Sequence, residues 1–147
     1  MKWRIIAAGK PALKYARDGI AEYEKRLRRY TNCDIVYIRP GNTREETEAR
    51  FLTASDGSFC IILDERGDLL DTESFKEKVD GWEMDGSIKS VSLIIGASDG
   101  HSETFRESAD LLLSLSKFTL QHELALVVLL EQVYRVYTLK KGEPYHR

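Results

Sequence analysis

The chain closes on Tyr145, His146 and Arg147. An aromatic ring, a titratable imidazole and a permanent cation occupy three consecutive positions. Such a trio can stack on a nucleobase, move a proton and hold a phosphate. Chain ends usually fray and are dispensable, so this chemistry at an end is informative. It follows an apolar segment that carries Glu131, Gln132 and Arg135. Glu131 and Arg135 stand four residues apart, the spacing of a pair across one helical turn.

Two further stretches could meet a ligand. Gly96-Ala-Ser-Asp-Gly100 follows an apolar run, and its glycines allow close backbone approach. It is neither a dinucleotide fingerprint nor a phosphate-binding Walker loop, because the spacing and the Lys-Ser/Thr are missing. A plain strand-to-helix turn is the alternative. Leu115-Ser-Lys-Phe-Thr-Leu120 is polar between two apolar segments. It reads either as a pocket wall or as a linker whose Thr119 caps the next helix. His101, His122 and His146 are too dispersed for a metal cluster, and no Ser/His/Asp or Cys/His set is present. Cys33 and Cys60 lack metal-ligand spacing. They are expected as buried thiols of a reducing cytosol.

The elements that position these groups alternate. Trp3–Ala8 is a short apolar strand stopped by Gly9 and Pro11. Leu13 to Tyr30 repeats apolar residues at helical spacing. Asp34–Arg39 is a β-branched strand stopped by Pro40 and Gly41. Thr43, with Glu46 three residues on, predicts a capping box over 43–53. Ser58–Leu63 is a continuously apolar, central strand that empties into a polar Asp64–Asp68 loop. A helix from Asp71 and Thr72 follows. Ser90–Ile95 is the fourth strand, then a helix from about Ser102 to Ala109, and Leu111–Leu115 is the fifth strand. The last helix, from about Leu120 to Lys140, is apolar nearly all round. It must be covered on more than one side, and a second subunit is a natural cover.

This pattern predicts an α/β fold with a mainly parallel sheet, ligands gathering at the carboxyl ends of the strands. The 147 residues suit a single domain over 1–147. Apolar residues make up 42% and charged residues 31%, an ordinary balance for a globular protein. No apolar run is long enough for a bilayer, and the N-terminus reads as a strand rather than a signal peptide. The net charge of −2 offers no global attraction to nucleic acid. Positive charge is local, at Lys25, Arg26, Arg28 and Arg29 and at Lys140, Lys141, His146 and Arg147; it reads either as two solvated helix ends placed to suit the helix dipole or as a local phosphate contact.

Taken in order and spacing, these blocks resemble one family: the 23S rRNA pseudouridine N3-methyltransferases (RlmH) of the SPOUT superfamily. The matching blocks run from Ile5-Ile-Ala-Ala-Gly-Lys10 through Leu63-Asp-Glu-Arg-Gly67 and Leu93-Ile-Ile-Gly-Ala-Ser-Asp-Gly100. They end in Glu131-Gln-Val-Tyr-Arg135 and Pro144-Tyr-His-Arg147. The resemblance implies a C-terminal trefoil knot, which no periodicity would predict, and a homodimer packed through it. It implies S-adenosyl-L-methionine bound at Leu63, Gly96, Leu115, Ser116, Lys117, Phe118, Thr119 and Leu120. The implied substrate is a pseudouridine in helix 69 of 23S rRNA within the assembled cytoplasmic ribosome, with no membrane and no metal involved. His146 is expected as base, Arg147 and Arg135 as anchors of phosphate or developing charge, and Tyr145 as a stacking platform. Three positions depart from the family pattern: Ala97 for a second glycine, Gln121 for a frequent proline, and Leu126 for a common arginine.

The rival readings are a SPOUT enzyme for another RNA position, such as a tRNA nucleotide, and a ribosome-associated factor that has lost catalysis. The terminal Tyr-His-Arg favours the ribosomal target over the first. Titration with the cofactor separates the second. A receiver-like phosphorylation domain lacks its acidic cluster after the first strand, where Ala7-Ala-Gly9 stands.

Overall fold

A computed structural model of the protein describes residues 1–97 and 99–146. Five strands, β1 (Lys2–Ala8), β2 (Asn32–Ile38), β3 (Phe59–Leu69), β4 (Ser90–Ile95) and β5 (Leu111–Ser114), alternate with five helices. The helices are α1 (Lys14–Leu27), α2 (Arg44–Ala54), α3 (Thr72–Met84), α4 (Glu103–Glu107) and α5 (His122–Lys140). All the strand pairings are parallel, and the spatial order is β2-β1-β4-β3-β5.

Successive apolar residues feed opposite faces of the sheet, as the pleat requires. Ile5, Ile61 and Leu93 join a core with α1, α3 and α5. Ile6, Ile62 and Ile94 join Phe51 of α2 and Phe105 of α4 on the other face. This explains the unbroken apolar runs: both faces of the central strands are covered. Trp3 ties sheet to helix, since its indole N–H donates to the Tyr137 hydroxyl at 2.8 Å in the buried core.

Three local details differ from the sequence expectation. The polar stretch after Leu63 is not a free loop. Strand β3 continues to Leu69, and Leu113 of β5 faces both Leu63 and Asp68. The residues between them are an irregularity in the ladder, a device that re-aims side chains beside sites. Gly67 permits it: a Cβ there would lie 2.5 Å from the Leu112 carbonyl carbon. At α2, Thr43 Oγ1 accepts from the Glu46 amide at 3.1 Å, but Glu46 reaches back to the Asn42 amide. The reciprocal half of the capping box is therefore shifted by one residue. At α5 the cap is Gln121, not Thr119; its Oε1 accepts from the amides of Glu123 and Leu124 at 3.0 and 2.9 Å. Proline is absent at that position, and the glutamine side chain does the capping instead.

Much of the cover for α5 comes from the same chain. Gly19 of α1 lies against Val127, and α3 flanks the other side through Thr72 and Glu83. Leu126, where a cation is common in the family, is buried in the core. Leu124, Val128, Glu131 and Arg135 form a half-buried outer stripe. Cys33 and Cys60 are free and buried, and burial pushes the Cys33 thiol up to about 12. No helix among the described residues is long and apolar enough to cross a membrane.

Candidate active site

Strands β4, β3 and β5 are neighbours, so the segments that follow β4 and β5 converge with the irregular part of β3 at one edge. They surround a cleft of about 820 Å³. Leu63, Gly96, Leu115, Ser116, Thr119 and Leu120 line it, and Phe118 adds an aromatic ring that is 83% exposed. Lys117 is exposed and does not line the cleft. The first turn of α5 closes one wall through His122 and Ala125. Apolar walls with scattered hydroxyls, carboxylates and free backbone edges suit a ligand of mixed character. A nucleoside carrying an amino-acid tail is such a ligand.

The loop after β5 is fixed from within and from across the cleft. Ser116 Oγ accepts from the Phe118 amide at 2.9 Å, and Ser114 Oγ donates to the Ser116 carbonyl at 3.0 Å. The Thr119 hydroxyl donates to Glu65 of β3 at 3.0 Å. The irregular part of β3 thereby holds the loop that follows β5.

His101 is a cleft residue that the sequence did not single out. Its imidazole is 7% exposed, and its Nε2 lies 3.1 Å from the Leu63 carbonyl oxygen. It packs on Phe105, ring centroids 5.0 Å apart. A Cβ at Gly96 would meet its Cε1 at 2.3 Å. The close approach that requires glycine here is therefore to this imidazole. Burial lowers the basicity of His101, with Asp64 and Glu48 opposing and Arg106 assisting the shift. The neutral ring, with its Nε2–H donating to Leu63, fits these surroundings. Glu48, itself buried, accepts from the amide and hydroxyl of Ser102 next door. A lone histidine in a glycine loop gives no sequence signal for such a strut.

The terminal residues lie elsewhere. Gly142 adopts φ +67°, a left-handed turn suited to glycine, and the chain doubles back along α5. Tyr145 does not project into solvent: its ring meets Tyr134 edge-on at 4.8 Å and packs against the core. Its hydroxyl donates to Glu131 at 3.0 Å and lies 3.3 Å from the Tyr23 hydroxyl. Burial first, then these two neighbours, push its ionisation far above the usual phenol range. The Arg135 guanidinium sits 4.7 Å over the Tyr145 ring. It donates to Glu131 at 2.9 and 2.5 Å and to His146 Nδ1 at 3.2 Å. An imidazole whose Nδ1 accepts from a guanidinium carries its proton on Nε2. That proton faces Glu73, 3.9 Å away. Arg147 lies outside the described residues.

Arg135, Tyr145 and His146 therefore form one cluster, and the cleft is another. Glu131 stands nine residues beyond His122 on the helix, and Arg135 thirteen. At 1.5 Å per residue that is about 14–20 Å. Among the described residues no group of histidine, cysteine and carboxylate side chains could hold a metal ion.

A parallel α/β sheet with a cleft at its strand ends and a C-terminal segment folded back along the last helix defines a class. The chain belongs to the SPOUT methyltransferase family, whose model matches residues 1–146. Among its relatives is the ribosomal RNA large subunit methyltransferase H of Thermus thermophilus. It is 48% identical over 147 residues, spanning 100% of this chain and 99% of the relative. The fold matches that of a probable methylase family protein from Haemophilus influenzae, with a TM-score of 0.61 at 12% identity, over 99% of this chain and 70% of that one. It also matches a putative methyltransferase from Legionella pneumophila in complex with SAM, with a TM-score of 0.52 at 13% identity, over 92% and 66% of the two chains.

Proposed function

We propose that this protein transfers a methyl group from S-adenosyl-L-methionine to N3 of a pseudouridine in helix 69 of 23S rRNA, in the assembled cytoplasmic ribosome. The observation that carries the reading is the end-to-end match to a large-subunit rRNA methyltransferase, covering the cleft and the terminal cluster together. The cofactor would lie in the cleft, with Leu63, Gly96 and the 115–120 segment against it. When bound, it supplies an electrophilic sulfonium methyl.

N3 of pseudouridine is an imide nitrogen that carries a proton. That proton must leave before or as the nitrogen attacks, and the negative charge then spreads over the flanking carbonyls. Arg135 and Arg147 would stabilise that charge or hold the neighbouring phosphate. His146 would take the proton. Its Nδ1 accepts from Arg135 here, so that role requires this contact to release. Tyr145, wedged between Tyr134 and Arg135, orients the cluster.

Reaction requires contact, with reacting atoms about 3–3.5 Å apart, and a cluster about 14–20 Å down α5 does not meet the cleft of its own chain. A second copy can bring its terminal cluster to that cleft, packing across the half-buried stripe at Leu124 and Val128. The functional unit is then a homodimer with two composite sites. Mixing two inactive variants tests this. One lacks residues 143–147; the other carries Ser116→Trp in the cleft. Mixed and refolded together, they are expected to regain methyl transfer to ribosomes. A mixture that stays inactive, with each variant dimeric, would place cleft and tail in the same chain.

A further inference from the structure

Glu131 stands at the centre of the terminal cluster and belongs to no role assigned so far. Its Oε1 accepts from Arg135 Nε at 2.9 Å, from Arg135 Nη2 at 2.5 Å and from the Tyr145 hydroxyl at 3.0 Å. Its Oε2 accepts from Gln132 Nε2 at 2.7 Å. Gln132 is in turn fixed by the Thr72 hydroxyl of α3, which donates to its Oε1 at 2.7 Å. Because the Tyr145 hydroxyl is committed to Glu131, the Tyr23 hydroxyl 3.3 Å away donates to it. One carboxylate thus gathers donors from α5 and the returning tail, and is braced by α1 and α3.

An exposed ion pair at this spacing contributes little. This one is different in kind. The side chains of Glu131 and Arg135 are 18% and 24% exposed, and a tyrosine hydroxyl completes the pair. The guanidinium is held by Glu131 along one edge, which leaves Nη1 for His146 and its face for the Tyr145 ring. Without the carboxylate Arg135 loses the two bonds that fix its rotation, and both tail residues lose that reference point.

We propose that Glu131 is the positioning residue of the methyl-transfer site: it sets the orientation of Arg135 and Tyr145, and through Arg135 it holds His146 in place until the arriving nucleotide releases the imidazole, without touching substrate itself. The inference rests on the tail acting on the nucleotide. Glutamine at this position would be neutral, and its amide group would face either Gln132 Nε2 or the Arg135 and Tyr145 donors. In neither orientation can it accept all four bonds.

The test uses Glu131→Ala and the isosteric Glu131→Gln in the full-length protein, with Tyr145→Phe as a partner. Misplacing catalytic groups by an ångström costs up to about a hundredfold. Methyl transfer to ribosomes is expected to fall at least about tenfold in kcat for Glu131→Ala, with Glu131→Gln intermediate. KM for ribosomes and affinity for S-adenosylmethionine stay near wild type. Adding Tyr145→Phe to Glu131→Ala costs little more, because coupled residues are not additive. Amide exchange over residues 142–146 quickens in Glu131→Ala. Wild-type kcat in both variants, strictly additive losses, or a parallel loss of cofactor affinity would each overturn the proposal. Deleting residues 143–147 serves as the control. If that deletion leaves activity intact, the tail reading itself fails and this inference falls with it. If the deletion abolishes activity, Glu131 is judged alone.

Discussion

At the residue scale, the site depends on groups whose roles appear only when distant segments meet. His101 bridges Leu63 of β3 and Gly96 just past β4, and its basicity is lowered chiefly by burial. An imidazole held neutral in the fold binds its proton more readily once unfolded. Its stabilising contribution is therefore complete above the ordinary value of 6.5 and is lost as pH falls below it toward the depressed folded value. The melting temperature of wild type is expected to drop more steeply below pH 6.5 than that of His101→Leu, which has nothing to titrate there. Parallel curves would remove the imidazole from this role. Gly96 was legible in the sequence as a close-approach glycine, but what approaches it was not. The partner is five residues on, and nothing in a short glycine loop says which way a histidine turns. The same holds for Lys117, which shares a segment with five cleft residues and faces outward.

At the element scale, the order and type of every strand and helix were legible, because apolar runs and turn residues alternate so regularly. The continuation of β3 was not. Asp64, Glu65 and Asp68 read as loop; Asp68 instead pairs with Leu113 of β5, and Asp64 and Glu65 lie in the irregularity before it. The tail is the larger correction. Its residues read as groups that reach out to a nucleotide, yet Tyr145 packs on Tyr134 and bonds to Glu131, while the Tyr30 hydroxyl donates to Glu143 at 2.6 Å. Deleting residues 143–147 is expected to cost about 1–2 kcal/mol, from one aromatic pair and its hydrogen bonds. In a domain of this size that lowers the melting temperature by a few degrees. Calorimetric scans of the full and truncated chains check this, and unchanged melting would return the tail to a solvated end. Helical periodicity can report α5, but not that the chain reverses at Gly142 and lies back along it.

At the scale of the whole molecule, the chain presents a cleft and a terminal cluster that it does not itself bring together. The cleft converges because β4, β3 and β5 are adjacent, an order that sequence periodicity leaves open. The cluster is held down α5 by Glu131. The sequence carried both through the family resemblance, and the match to a large-subunit rRNA methyltransferase spans the segments that form each. On the proposed reading, this protein methylates one pseudouridine in the assembled ribosome. The direct measurement incubates it with labelled S-adenosyl-L-methionine and intact ribosomes lacking the modification, then maps the labelled nucleotide. Label at N3 of a single helix 69 pseudouridine, absent when residues 143–147 are deleted, is the predicted result. Label on tRNA, label at another rRNA position, or no transfer by a protein that binds the cofactor would contradict it.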